Sequence, residues 1–161
     1  MSDNINTVER FYRAFAQRDW RGMQACYAPE VHFNDEVFDL HGAQAGAMWH
    51  MLCERGTDLR VAHSNLAELP DGRVRVHWDA DYTFSATKRA VHNSIDALFT
   101  LRDGRVMRHV DAFSFWRWSR QALGPAGLLL GWTPLLRAKV QAQAAKGLEA
   151  FCRDKPQYAG V

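Results

Sequence analysis

The 161-residue sequence lacks the features that mark several classes of protein. Its three cysteines are widely spaced and form no Cys-x-x-Cys pair, which argues against a disulfide framework or a zinc site. No apolar run approaches the roughly 20 residues of a membrane-spanning helix, and the polar N-terminus shows no signal peptide. A formal net charge of +2 is too small for a dedicated nucleic-acid-binding protein. We therefore expect a cytoplasmic chain without a transmembrane segment or a nucleic-acid partner.

The small net charge hides an asymmetry along the chain. Residues 1–112 carry 13 basic and 16 acidic side chains, whereas residues 113–161 carry 7 basic and 2 acidic ones. The hydrophobic content of 47% is typical of soluble globular proteins and excludes a disordered chain. The sequence thus describes an acidic globular body followed by a basic tail.

Helical periodicity dominates the first third of the chain, and strand periodicity follows. Apolar spacing predicts helices over residues 4–17 and 44–55, with a short helix beginning at Trp20. From residue 59 the apolar period changes to two, which predicts strands. These strands cover residues 59–69, 73–87, 91–101 and 105–118. Because turn signals such as Asp103-Gly104 join strands into hairpins, the pattern predicts an α+β fold with an antiparallel sheet.

The tail, residues 119–155, is predicted to be helical with two breaks. Thr133 is the expected N-cap of its last helix, with Pro134 in the first helical position. That helix carries an apolar stripe of Leu135, Leu136, Val140, Ala144, Leu148, Phe151 and Cys152. The stripe is typical of packing on the same domain or on a partner subunit. Trp132 and the basic residues favour a second interpretation, contact with a membrane surface.

The order of these elements resembles a known superfamily. The segment "CYAPEVHF" after two helices, and Asp103-Gly104-Arg105-Val106 leading to His109-Val110-Asp111, are similar to motifs of nuclear-transport-factor-2-like proteins. These proteins include ketosteroid isomerases, limonene epoxide hydrolases and SnoaL-like polyketide cyclases. The resemblance implies a cone, a strongly bent antiparallel sheet around N-terminal helices with a central pocket, over residues 1–118. Residues 119–161 would form a helical extension that packs on the same domain or on a dimer partner.

The direction in which the strand residues face decides where a site lies. On residues 73–85, Val76 and Trp78 share one face, and Asp79 and Asp81 share the other. Taken alone, this pattern puts the apolar face in the core. The resemblance implies the reverse, because in these proteins the concave face lines a polar pocket and the outer face is often a dimer interface.

Candidate catalytic residues follow from the same resemblance. "CYAPEVHFNDEV" is similar to the segment that carries the general base of ketosteroid isomerases, and it places Asp35 at that position. "SIDALFTLRDGRV" places Asp96 at their oxyanion-binding aspartic acid. The His-x-Asp pattern of His109 and Asp111 looks like the segment that holds a catalytic aspartate in epoxide hydrolases and cyclases.

The implied ligand pocket combines aromatic and polar side chains. Its predicted lining is Phe11, Tyr12, Phe15, Trp49, Asp79, Asp81, Thr83 and Phe113. Two positions depart from the family patterns. Phe11 stands where the isomerases have a hydrogen-bonding tyrosine, with Tyr12 about 100° away on the helix. Asp79 stands where the epoxide hydrolases have an arginine.

These residues predict a protein that binds a small hydrophobic molecule and uses pocket aspartates for isomerisation, cyclisation or hydration. Asp35 is the expected base and Asp96 or Asp111 the expected acid, with His109 tuning Asp111 or relaying protons. We expect no cofactor and a homodimer formed through the outer sheet face or the C-terminal helices. No metal site is expected, because the histidines are dispersed and only His77, joined with His109 and Asp111 across strands, would make a ligand set. The alternative is a non-catalytic ligand-binding or protein-interaction module of the same fold.

Overall fold

The computed structural model describes the whole chain, residues 1–161. Its helices are α1 (Asp3–Ala16), α2 (Trp20–Ala25), α3 (Ala43–Arg55), α4 (Phe115–Ala122), α5 (Pro125–Leu130) and α6 (Pro134–Arg153), followed by a 3₁₀ turn (Pro156–Tyr158). Its strands are β1 (Tyr27–Asn34), β2 (Asp39–His41), β3 (Arg60–Glu68), β4 (Val74–Phe84), β5 (Arg89–Arg102) and β6 (Arg105–Ala112). Three helices thus precede most of the sheet, and three follow it.

One six-stranded sheet, in the order β2-β1-β6-β5-β4-β3, forms the frame of the molecule. Neighbouring strands run antiparallel except β1 and β6, which run parallel and bring the start of the domain beside its last strand. The sheet curls around α1 and α3 without closing. This architecture confirms the predicted α+β fold and the cone.

The core lies between the concave face of the sheet and α1 and α3. Helix α1 begins at Ser2, whose hydroxyl accepts a hydrogen bond from the Ile5 amide, and it buries Phe11, Tyr12 and Phe15. On the sheet, the residues that face these rings are apolar and alternate with exposed ones, as the pleat of a strand requires. They include Val74, Val76, Trp78, Ala80, Ile95, Ala97 and Phe99. The interior is therefore mainly aromatic and aliphatic.

The last strand is shorter than the sequence pattern predicts. β6 ends at Ala112, and the side chain of Ser114 accepts a hydrogen bond from the Arg117 amide at the start of α4. Phe115 and Trp118 are three residues apart, so both lie on the buried face of that helix. The prediction of a strand to residue 118 is wrong because alternating aromatic residues suit a strand and a short amphipathic helix equally well.

The tail folds back onto the domain at its far end. Thr133 caps α6 and Pro134 opens it, as predicted. Leu148, Phe151 and Cys152 are buried, and α6 packs on α3. No helix of the structure is both long enough and apolar enough to cross a bilayer.

Candidate functional site

A chain of hydrogen bonds runs through the interior of the cone to Asp111. The Trp49 indole donates to the Tyr27 hydroxyl at 2.7 Å, and that hydroxyl lies 2.8 Å from His109 Nδ1. On the other side of the ring, His109 Nε2 lies 2.9 Å from Asp111 Oδ1. Oδ1 also accepts a hydrogen bond from the Trp78 indole at 3.3 Å. His109 and Asp111 are both buried, so no bulk water competes for these bonds.

The donors and acceptors in this chain fix the proton positions on a neutral His109. An indole N–H can only donate, so the Tyr27 oxygen accepts from Trp49 and its own proton is left for His109 Nδ1. His109 must then carry its proton on Nε2 and donate it to Asp111. Every bond in the chain thus points toward the Asp111 carboxylate.

Asp35 comes next to Asp111 through the parallel pairing of β1 and β6. Phe33 pairs with His109 and Asn34 with Val110, so the next residues of the two strands are Asp35 and Asp111. Asp35 caps its own turn, because Oδ1 accepts hydrogen bonds from the Val37 and Phe38 amides, both at 2.7 Å. Burial raises the pKa of Asp35 to about 6, and the charge of Asp111 adds to that rise. Two carboxyl groups therefore share one poorly solvated region.

Tyr12 supplies a hydroxyl that no protein atom satisfies. Its side chain is fully buried, and its oxygen makes no hydrogen bond. Burial raises the pKa of Tyr12 well above its usual value, and the charge of Asp111 contributes, which puts the two groups within electrostatic reach. Adjacent residues on a helix point about 100° apart, and Phe11 and Tyr12 are nevertheless both buried. The sheet and α3 therefore enclose α1 over a wider arc than that. An unpaired buried hydroxyl is costly in a protein interior, and Tyr12 has the only buried side-chain polar atom without a hydrogen-bond partner.

Helix α4 covers the mouth of the cone. The Trp118 indole donates to the Tyr82 hydroxyl at 2.8 Å. Burial raises the pKa of Tyr82, and the charge of Asp35 adds to that rise. Phe113 packs against both the main core and a smaller cluster around Phe115. Phe113, Tyr82 and Trp118 thus form the outer rim next to the two carboxyl groups.

Comparisons with known proteins show the family and the fold of the chain. Residues 8–109 match the model of the SnoaL-like domain. The chain belongs to the SnoaL-like domain family. No curated protein matches the sequence.

Solved structures share the fold of this SnoaL-like chain at low sequence identity. A nuclear-transport-factor-2-like protein of unknown function from Burkholderia pseudomallei is 22% identical, covers 76% of this chain and 98% of its own, and has a TM-score of 0.65. A putative SnoaL-like polyketide cyclase from Jannaschia sp. CCS1 is 20% identical over 76% and 93% of the two chains, with a TM-score of 0.65. An LEH-like epoxide hydrolase from M. tuberculosis is 18% identical over 80% and 96%, with a TM-score of 0.63.

The pocket-facing orientation expected for four residues of the SnoaL-like domain is wrong. Asp79, Asp81 and Thr83 lie on the outer face of β4, and Asp96 lies on the outer face of β5 with its side chain 83% exposed. The physical reason is the alternation of the strand, since Trp78, Ala80 and Ile95 fill the interior and a residue next to them must point outward. The apolar-face-inward interpretation is the one that holds. Dimerisation through this outer face stays a prediction.

The outward-facing acids instead form an exposed row with two histidines. His77 lies 2.8 Å from Asp96 and 3.4 Å from Asp79, and His92 lies 2.7 Å from Asp81. The hydrogen bond to Asp96 raises the pKa of His77. This row is separated from Asp111 by the thickness of the sheet.

The metal-ligand set of His77, His109 and Asp111 does not form, because His77 is on the opposite face of the sheet. A different group, His32, Asp39 and His41 on the β1–β2 hairpin, places one ligand atom of each side chain within 4.8 Å of the others. His32 Nδ1 there faces the Arg108 guanidinium at 3.3 Å, a positive charge that opposes a cation. The hairpin group is on the outer face, away from Asp111.

Tyr27, Trp78, Tyr82 and Trp118 are the site residues that sequence reasoning missed. Trp78 was visible on the apolar face of its strand, the face that proves to be internal. Tyr27 pairs with Val106, which is distant in the sequence, so the local sequence pattern does not predict that contact. The aromatic residues Phe11, Phe15 and Trp49 lie inside the cone in the hydrophobic core, and their role as the lining of a ligand pocket stays a prediction.

Proposed function

We propose that this chain binds a small hydrophobic metabolite at the mouth of the cone and catalyses cofactor-free acid–base chemistry on it. The observation that carries the proposal is the adjacency of Asp35 and Asp111 in a poorly solvated region. The aromatic rim would contact the apolar body of a ligand, and the two carboxyl groups would contact the polar end of that ligand. Relatives of the same fold described as a polyketide cyclase and an epoxide hydrolase support a substrate of this class.

Asp35 is the proposed general base. With a pKa of about 6, its carboxylate can take a proton near neutral pH and also return it. In an isomerisation, Asp35 would remove a proton from the carbon beside a carbonyl and deliver the same proton to another carbon. In a hydration, Asp35 would take a proton from water as the water oxygen attacks an epoxide carbon.

We propose that the negative charge that develops on a substrate oxygen is stabilised or neutralised by Asp111, His109 and Tyr12. Tyr12 would donate its free O–H to a substrate oxygen as that oxygen becomes negative. Asp111 has one oxygen held by His109 and Trp78, which leaves Oδ2 to face a ligand. When an epoxide opens, Asp111, protonated on Oδ2, would give that proton to the leaving oxygen, and the hydrogen bonds from His109 and Trp78 to Oδ1 would stabilise the carboxylate that remains.

One observation favours a second function, a ligand-binding or protein-interaction module without catalysis. The interior beside His109 is closely packed with aromatic rings, with Phe99 stacked on the imidazole at 4.0 Å between centroids. In addition, Asp111 is buried, and surface clefts of about 820 and 580 Å³ lie away from it. A ligand would then have to displace α4 to reach the acids.

The experiment is a ligand screen that reads binding and turnover separately. Purified protein is incubated with steroids, terpenoids, polyketide fragments and epoxides, and ligands that raise the melting temperature are recorded, since binding to the native state stabilises it. Each such ligand is then analysed by mass spectrometry and NMR for isomerisation, ring closure or addition of water.

Matched variants locate the site. Asp35→Asn and Asp111→Asn should abolish turnover, whereas Asp96→Asn, the same change on the opposite face, should leave it intact. Stabilisation without turnover, unaffected by Asp35→Asn, would favour the non-catalytic module. Stabilisation lost in Asp96→Asn but kept in Asp111→Asn would overturn the placement of the site.

A further inference from the structure

Five large apolar side chains are exposed together at the turn between α5 and α6. We call Leu128, Leu129, Leu130, Trp132 and Leu135 the apolar tip; Trp132 is 74% exposed and Leu135 is 83% exposed. Elsewhere, the large hydrophobic residues at the surface are chain termini or single, marginally exposed side chains. Contiguous exposed apolar groups of this kind mark interaction sites.

The tip is a rigid, preformed feature. The Trp132 indole donates to the Leu129 carbonyl at 2.9 Å, and the Thr133 hydroxyl donates to the Leu130 carbonyl at 2.6 Å. Behind the tip, Gly127 packs so tightly on α4 that an added Cβ would lie 1.9 Å from the Ser119 carbonyl oxygen. Several polar groups of the turn are thus bonded within it, while its large apolar side chains face outward.

Positive charge surrounds the tip without any negative charge nearby in the sequence. Residues 112–148 contain five basic side chains and no acidic one. Beside Leu128 lies a cleft of about 820 Å³ whose lining includes Arg89 and Arg120. Neither arginine has a carboxylate partner; Arg89 donates its Nε to the Gln121 carbonyl, and Arg120 lies over the Trp116 ring. The cleft therefore offers unpaired guanidinium groups to an anion.

The shape and charge of this region fit a lipid surface better than a second copy of the chain. A standard protein interface uses about 20–30 residues on each side, whereas the tip presents five on a turn. A two-fold contact would also place two cationic tips against each other. Leucine and tryptophan flanked by arginine are the composition of segments that rest at a bilayer interface.

We propose that the apolar tip docks this protein onto an anionic phospholipid bilayer. The leucines and Trp132 insert below the headgroups, and Arg89 and Arg120 contact the lipid phosphates. This docking is independent of the catalytic proposal, because none of these residues belongs to the interior site.

The test is flotation with vesicles of phosphatidylcholine alone and of phosphatidylcholine mixed with phosphatidylglycerol. The full chain should bind the anionic vesicles and bind less at high salt, and its tryptophan fluorescence, to which the exposed Trp132 contributes, should shift to the blue. Leu129→Ser with Trp132→Ser should weaken binding at least about tenfold. The double variant Arg89→Gln with Arg120→Gln should weaken vesicle binding at low salt. The control double variant Arg60→Gln with Arg75→Gln removes the same charge from β3 and β4 and should leave vesicle binding unchanged.

Melting curves of all variants confirm that the fold is retained, since the altered side chains are at the surface. No binding to anionic vesicles, or binding that Leu129→Ser with Trp132→Ser retains, would overturn the proposal. So would a dimer in solution that this double variant dissociates, because a second copy would then be the occupant of the tip.

Discussion

Asp35 and Asp111 each come one residue after Asn34 and Val110, the last residues that pair between the neighbouring parallel strands β1 and β6. This relationship joins two acids that are 76 positions apart in the sequence. Burial raises the pKa of Asp35 to about 6, and the charge of the neighbouring Asp111 adds to that rise. Asp111 is held by a hydrogen-bond chain that ends in Trp49. Acid–base chemistry near neutral pH needs such a pair of unlike environments.

Asp35 should make the protein less stable as the pH rises. Its pKa is raised on folding, so the native state holds a proton that the unfolded state releases, and the free energy of unfolding falls between pH ~4 and ~6. Asp35→Asn should remove this slope and raise the free energy of unfolding near pH 7 by about 1–2 kcal/mol. Urea unfolding across this pH range measures it. Glu149→Gln, at an exposed unpaired carboxylate on α6, should leave the slope unchanged.

Two tyrosine-to-phenylalanine changes should have opposite effects on stability. Tyr12→Phe removes an unpaired buried hydroxyl, so the free energy of unfolding should stay equal or rise by up to ~1 kcal/mol. Tyr27→Phe leaves the Trp49 indole and His109 Nδ1 without a partner and should lower it by about 1–3 kcal/mol. Thermal unfolding compares the two. A loss of stability in Tyr12→Phe equal to that in Tyr27→Phe would contradict the free hydroxyl.

The end of α6 should matter for stability more than its beginning. Phe151 is 3% exposed and packs against His50, so Phe151→Ala should lower the free energy of unfolding by about 3 kcal/mol or more. Leu135→Ala, at an exposed site on the same helix, should change it by less than ~0.5 kcal/mol. Denaturant titration distinguishes them, and similar losses in both would mean that the start of α6 is covered in solution.

The pKa of His77, on the outer face of the sheet, should depend on Asp96. Asp96→Asn removes the main cause of the raised pKa of His77, so NMR titration should show that pKa falling toward about 6.5. Because a raised histidine pKa stabilises the fold at low pH and that contribution disappears as pH rises through it, the variant should lose stability near pH ~5 and little above pH ~8. Asp81 contacts His92 and not His77, so Asp81→Asn should leave the pKa of His77 unchanged.

For β4 and β5, the resemblance and the strand pattern predicted opposite faces of the sheet to be internal. The strand pattern was right. Trp78 and Ile95 could only be buried if Asp79 and Asp96 faced outward. On β6 the resemblance alone pointed to His109 and Asp111 as site residues, and both are buried. Local periodicity thus sufficed wherever one face was clearly apolar.

The sequence by itself determined the helices and the antiparallel strands, because periodicity, caps and turn residues act over a few neighbouring positions, and the cone was implied by the family resemblance. It also marked the tail as basic and helical, whereas the exposure of the leucines there appears only in the structure. Only the tertiary structure decided that Asp35 meets Asp111, that Tyr27 orients His109 and that α4 covers the mouth. Those contacts join residues far apart in the chain, and their strength comes from burial, which no local pattern records.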